Sequence, residues 1–112
     1  MNLSPRASRQ IEAQRVRYLQ SLSEKKLRIE RAWNEAQRQA WSKASFDHFK
    51  TLVHRLAGSA GSYGLDKLGR AAKCLDHLMG SIPADEPPAG RVKALKDELL
   101  TRLDEAIETH QT

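Results

Sequence analysis

Five stretches of this chain repeat apolar residues every three or four positions, and none sustains the apolar–polar alternation of a strand. That spacing gathers side chains on one face of a helix, so the pattern commits the chain to an all-α fold. The clearest stretch carries Phe49, Leu52, Val53, Leu56 and Ala60. Leu65, Leu68, Ala72, Leu75 and Met79 form the next stripe, and Val92, Leu95, Leu99, Leu103 and Ile107 the last. Ahead of them, Leu27, Ala32, Trp33, Ala36 and Ala40 mark a helix running to about Trp41, and Ile11, Val16, Leu19 and Leu22 a short, irregular first one. Aromatic residues are only 5% of the chain, which suits Ala/Leu packing between helices better than a sheet.

Local signals set the boundaries. The polar segment Met1 to Arg9, with Pro5, reads as a frayed end, so residues 1–10 are expected to be flexible and 11–110 to form one domain. Ser21 and Glu24 fit an S-x-x-E capping box at the start of the second helix. Ser42 to Ser45 reads as a turn, with Ser45 as N-cap of a helix from Phe46. Gly61 to Gly64 would end that helix, Gly80 would end the next, and Pro83, Pro87 and Pro88 mark a loop. The expected fold is an antiparallel four-helix bundle with a short extra N-terminal helix. A chain of 112 residues can bury such a core without metal or disulfide.

Composition narrows the function classes. The lone Cys74 cannot form an internal disulfide and reads as a small helix-packing residue. No apolar run approaches the roughly 20 residues of a membrane span, and the polar N-terminus has no apolar signal stretch, so a cytoplasmic monomer is expected. Residues 1–45 hold ten Lys/Arg against four Asp/Glu, while residues 46–112 hold nine against ten. A basic half of this kind fits solvated helix faces. It also fits a helical binding module that uses nucleic acid or an acidic protein surface.

The most informative segment is His54-Arg-Leu-Ala-Gly58-Ser-Ala-Gly61-Ser-Tyr-Gly64-Leu65. On a helix, His54 falls at the edge of the apolar stripe, and Gly58 and Gly61 lie on its face within about 40°. Each glycine inside a helix costs roughly 0.5–1 kcal/mol relative to alanine. Bare backbone beside an outward imidazole would let another protein or a phosphoryl group come close. The same residues also fit an ordinary surface histidine followed by a helix terminus. A phosphate-cradling loop is a poor match, because no strand precedes the glycines and no G-K-[ST] follows them.

This run resembles the signature of the histidine phosphotransfer (HPt) domain family of two-component phosphorelays. The family pattern is a histidine, an apolar residue two positions on, glycine four on, small residues next, and glycine ten on. Here these are His54, Leu56, Gly58, Ser59 with Ala60, and Gly64. The family also carries Gln or an acid twenty-two positions past the histidine, where this chain has Asp76. The resemblance implies a helical bundle that accepts a phosphoryl group on His54 from a receiver-domain aspartyl phosphate and passes it on. It also implies a receiver domain of a response regulator or hybrid kinase as partner, with the Mg²⁺ held on that receiver and no cofactor of this chain's own. One departure stands out: the family commonly has lysine three positions after the histidine, and this chain has Ala57. Lys50, one turn before His54 on the same face, is the expected substitute. A domain that docks receivers without accepting phosphate is the alternative that this departure keeps open.

The chemistry needs few residues. A neutral imidazole nitrogen is a nucleophile near neutral pH, a carboxylate such as Asp76 could fix its tautomer, and phosphoryl transfer rests on positioning and charge neutralisation. No nucleotide-binding motif is present, so this chain is expected to be a phosphocarrier without kinase activity. His48, His77, His110 and Cys74 lack paired metal-ligand spacing, so no metal site is expected. Trp33 and Trp41 read as core residues rather than base-stacking platforms.

Overall fold

Ser4 and Pro5 start the first helix. The Ser4 hydroxyl accepts the Ala7 N–H at 3.1 Å, and Pro5 opens the helix where its missing N–H costs nothing. The computed structural model describes residues 4–83 and 86–110. Its helices are α1 (Pro5–Gln20), α2 (Leu22–Arg38), α3 (Lys43–Ser59), α4 (Asp66–Gly80) and α5 (Gly90–His110), with a 3₁₀ turn at Gly61–Tyr63 between α3 and α4. Among the described residues there is no strand.

Four of these helices close a ring: α2 packs on α3, α3 on α4, α4 on α5, and α5 back on α2. Specific pairs give the directions. His54 meets Asp76 while Gly61 meets Gly69, so α4 runs antiparallel to α3. Lys26 pairs with Asp104, and the Lys96 ammonium sits 4.9 Å from the Trp33 ring centre, so α5 runs antiparallel to α2. The interior is filled by Leu22, Ile29 and Trp33 of α2, Phe46, Phe49, Val53 and Leu56 of α3, Leu68, Ala72, Leu75 and Met79 of α4, and Val92, Leu99 and Leu103 of α5. Trp33 is buried and meets Trp41 and Phe49 edge-on at 4.8 and 5.2 Å, so the two tryptophans are packing residues.

Several boundaries differ from the sequence expectation. Pro5 to Gln10, expected to be frayed, are helical, and α1 is sixteen residues long rather than short. Ile11 and Val16 are exposed, and the residue α1 buries is Tyr18. Ser21 does not make a capping box. Its hydroxyl donates to the Tyr18 carbonyl at 2.6 Å and accepts from the Lys25 ammonium, so no capping bond reaches the α2 backbone. Leu27 is exposed, and Ile29 takes the core position instead.

Between α2 and α3 the turn comes earlier than expected. Ala40 and Trp41 both adopt left-handed backbone, at φ 51° and 61°, and the Trp41 N–H reaches back to the Ala36 carbonyl at 2.8 Å. That reversal places the Trp41 ring between Trp33 and Phe46. Ser42, not Ser45, is the N-cap, so α3 begins at Lys43 rather than Phe46. Cys74 is exposed, not packed between helices.

Candidate functional site

The α3–α4 hairpin builds the site. Val53, Leu56 and Ala57 are buried, which anchors the inner face of α3 and leaves His54 on the outer edge of the seam with α4. On α4, Leu68, Ala72, Leu75 and Met79 are buried, so Asp76 stands half-buried at the same seam. The two meet across it: His54 Nδ1 lies 2.9 Å from Asp76 Oδ2. The His54 side chain is nonetheless 76% exposed. Among the described residues its Nε2 makes no hydrogen bond, so the bonded nitrogen faces α4 and the other faces outward.

The surroundings of His54 are open. A Cβ built on Gly58 or on Gly61 would meet nothing within 4 Å. Neither glycine is required by packing inside this chain, so both leave room on the outer surface. Gly64 is different in kind, since its φ of +80° is a left-handed conformation that closes the turn. There the Gly64 N–H reaches the Gly61 carbonyl at 3.1 Å and the Leu65 N–H the Ala60 carbonyl at 3.0 Å.

The sequence reading missed the glycine that sets the spacing of the two walls. Gly69 is buried on α4, and a Cβ there would lie 3.2 Å from Gly61 N and 3.5 Å from Gly61 Cα. It permits backbone-to-backbone approach of α4 to the end of α3, seven residues before Asp76. A glycine seven residues, or two helical turns, before an acid is the only trace it leaves in the sequence, and that trace does not reveal its partner Gly61.

Lys50 stands on α3 one turn before His54. Its ammonium lies over the Phe46 ring, 4.5 Å from the ring centre, and among the described residues no ion pair or hydrogen bond joins it to His54 or Asp76. Asp47, close by, is paired with Lys43 at 2.7 Å, and that hydrogen bond holds its carboxyl below the usual carboxylate range. Ala57 is 5% exposed, packed into the seam where the resembling family has its lysine.

Two further contacts tie α1 to this region. The Tyr18 and Ser59 hydroxyls share a hydrogen bond of 2.7 Å, and Tyr18 stacks on Tyr63 with ring centres 4.1 Å apart. Burial pushes the Tyr18 phenol up, against the opposing pull of the Ser59 bond. Ser59 is therefore a fastening point for α1. Cys74 and His77 are both exposed, and among the described residues no group of three His, Cys, Asp or Glu side chains is arranged to hold a metal.

A family model described as the Hpt domain matches residues 15–109. The chain belongs to the Hpt domain family. No curated protein and no solved structure matches it. Members of this family are helical bundles that work with receiver domains in phosphorelays and carry phosphoryl groups without kinase activity of their own. Among the described residues of this Hpt domain, no helix is long and apolar enough to cross a membrane.

Proposed function

We propose that this Hpt domain carries a phosphoryl group on His54 Nε2, taken from the aspartyl phosphate of a receiver domain and passed to another. The observation that carries this reading is the orientation of His54, with Nδ1 held by Asp76 and Nε2 free at an exposed edge. With the proton on Nδ1 and donated to the carboxylate, the lone pair is on Nε2. That nitrogen attacks phosphorus, the N–P bond forms, and the P–O bond to the receiver's carboxylate breaks. The carboxylate leaves with the electron pair. No proton has to depart, because the Nδ1 proton stays against Asp76, which offsets the positive charge that develops on the ring. Open backbone at Gly58 and Gly61 supports the close approach that in-line transfer needs. The receiver supplies Mg²⁺ to the transferring phosphoryl group, and this chain needs no cofactor.

The test uses a panel of receiver domains charged on their aspartate with acetyl phosphate and Mg²⁺. Wild-type chain should become labelled at His54, located by mass spectrometry, and His54→Gln should take no label at unchanged helical content. Asp76→Leu should slow transfer and shift the His54 tautomer away from Nδ1–H, read by long-range ¹H–¹⁵N correlation. Labelling of His54→Gln at the wild-type rate would refute the assignment. Tight receiver binding without any labelling of the wild type would favour a docking domain instead.

A further inference from the structure

We infer that Lys73, on the opposite wall of the seam, is the cation that serves the phosphoryl group on His54 in place of the lysine that Ala57 replaces. The inference rests on the phosphocarrier reading above and adds a residue to it. Two contacts fix the register of α3 against α4. His54 meets Asp76, and Gly61 meets Gly69. Moving three residues on from His54 and three back from Asp76 brings position 57 opposite position 73. Counting four back from Gly61 and four on from Gly69 gives the same pairing. The helix wall facing Ala57 is therefore the turn that carries Lys73.

Lys73 also points the right way. Gly69 and Asp76 both touch α3, and they stand four before and three after Lys73, which are the spacings that share a helix face. Ala72, beside it, is fully buried, whereas Lys73 is exposed, so its stem leaves the seam on the outer side where His54 stands. Along the axis it lies about 4.5 Å from the level of the imidazole, at about 1.5 Å per residue. A flexible four-carbon stem spans that distance.

The neighbouring charges leave Lys73 as the candidate. Asp76 is engaged by His54, and among the described residues Lys73 has no ion-pair partner. Lys50 rests over Phe46. Arg55 leaves α3 about 100° from His54, and Arg70 leaves α4 about 120° from Asp76 after six residues, by helix geometry. The buried Ala57 makes room under the Lys73 stem, so the cation has moved from one helix to the other while keeping its height in the seam.

The experiment uses the full chain with His48, His77 and His110 replaced by Gln, which leaves His54 as the sole histidine. Potassium phosphoramidate is the probe: it transfers its phosphoryl group to the imidazole nitrogen and releases ammonia, so no partner protein is needed. The initial rate is read by ³¹P NMR at low salt and at 1 M salt. Lys73→Ala should slow phosphorylation about two- to fivefold at low salt, the range that an exposed ion pair supports, and the difference should vanish at high salt. Lys73→Arg should keep the wild-type rate, and Ala57→Lys added to Lys73→Ala should restore it. Neither the salt dependence nor the restoration follows from a merely structural role. A Lys73→Ala rate equal to wild type at low salt would overturn the inference, as would a larger loss in Lys50→Ala. If His54 accepts no phosphoryl group in the sole-histidine chain, the phosphocarrier reading fails first, which is a distinct result.

Discussion

Gly58 and Gly69 are eleven residues apart in one hairpin, and alanine at these two sites should change stability in opposite directions. At Gly58 an added Cβ meets nothing within 4 Å, so Gly58→Ala gains helix propensity without a clash, roughly 0.5–1 kcal/mol. At Gly69 the same propensity gain of about 1 kcal/mol is opposed by a steric cost. The new Cβ would lie 3.2 Å from Gly61 N, 3.5 Å from Gly61 Cα and 3.8 Å from the Ala60 Cβ. Carbon contacts are most favourable at about 3.5–4.0 Å, so the first of these is a few tenths of an ångström too close. The opposing atoms are backbone, fixed by the bonds from Gly64 N–H to the Gly61 carbonyl and from Leu65 N–H to the Ala60 carbonyl. They cannot swing aside as a side chain would. Overpacking against such a wall costs about 1–3 kcal/mol, so the net expectation is a loss of about 1 kcal/mol. For a domain of this size that is a fall in Tm of about 4 °C. Urea and thermal unfolding followed by circular dichroism would measure both variants. A Gly69→Ala chain as stable as wild type or more so would refute the argument that this contact limits the approach of α4 to α3.

Other outcomes follow from the same geometry. Gly58→Leu should leave the fold at least as stable as wild type yet slow phosphoryl transfer from a charged receiver roughly tenfold or more, because the side chain would stand in the open space beside His54; transfer at the normal rate would show that the glycine serves only the helix. Ala40→Gly should raise stability by about 0.5–1 kcal/mol, since Ala40 sits at φ 51°, where an L-residue is strained, and unfolding in urea would report it. The Asp97 carboxyl is held below its ordinary range by hydrogen bonds first from Lys96 and then from Lys93. Its contribution is therefore present above the ordinary carboxylate pKa and is lost as pH falls through the depressed one. Asp97→Asn should flatten the acid limb of a stability-against-pH curve below about pH 4, and an unchanged limb would rule this contribution out.

The helical class was legible from spacing alone, and the seam between His54 and Asp76 from the family resemblance that places an acid twenty-two positions past the histidine. An apolar stripe at three and four residues reports which face is buried, and twenty-two residues between an imidazole and an acid fits a hairpin of two antiparallel helices. What depended on side-chain choice was not legible. Lys50 is on the expected face, but its ammonium finds the Phe46 ring four residues back, and spacing does not choose between that ring and His54 four residues on. Ser21 stands three before Glu24 as a capping box requires, yet its hydroxyl is engaged by the Tyr18 carbonyl and Lys25. Gly69 looked like any helix glycine, since its role exists only relative to Gly61 on another element. The start of α1 was available and passed over: Ser4 followed by Pro5 is an N-cap followed by a first-turn proline.

The hairpin that holds His54 against Asp76 also has a consequence for the order in which the site can form. Its two reactive side chains are 22 residues apart, whereas Lys26 and Asp104, which join α2 to α5, are 78 apart. Because loop-closure entropy rises with about 1.5 RT times the logarithm of the separation, the shorter closure costs about 1 kcal/mol less. The imidazole–carboxylate pair thus belongs to the more local part of a low-contact-order topology, the kind of contact that rapid folding favours. Neither α1 nor α5 contributes an atom to that pair, so the geometry of the nucleophile is set within one contiguous segment, while the remaining helices supply the core against which it is held.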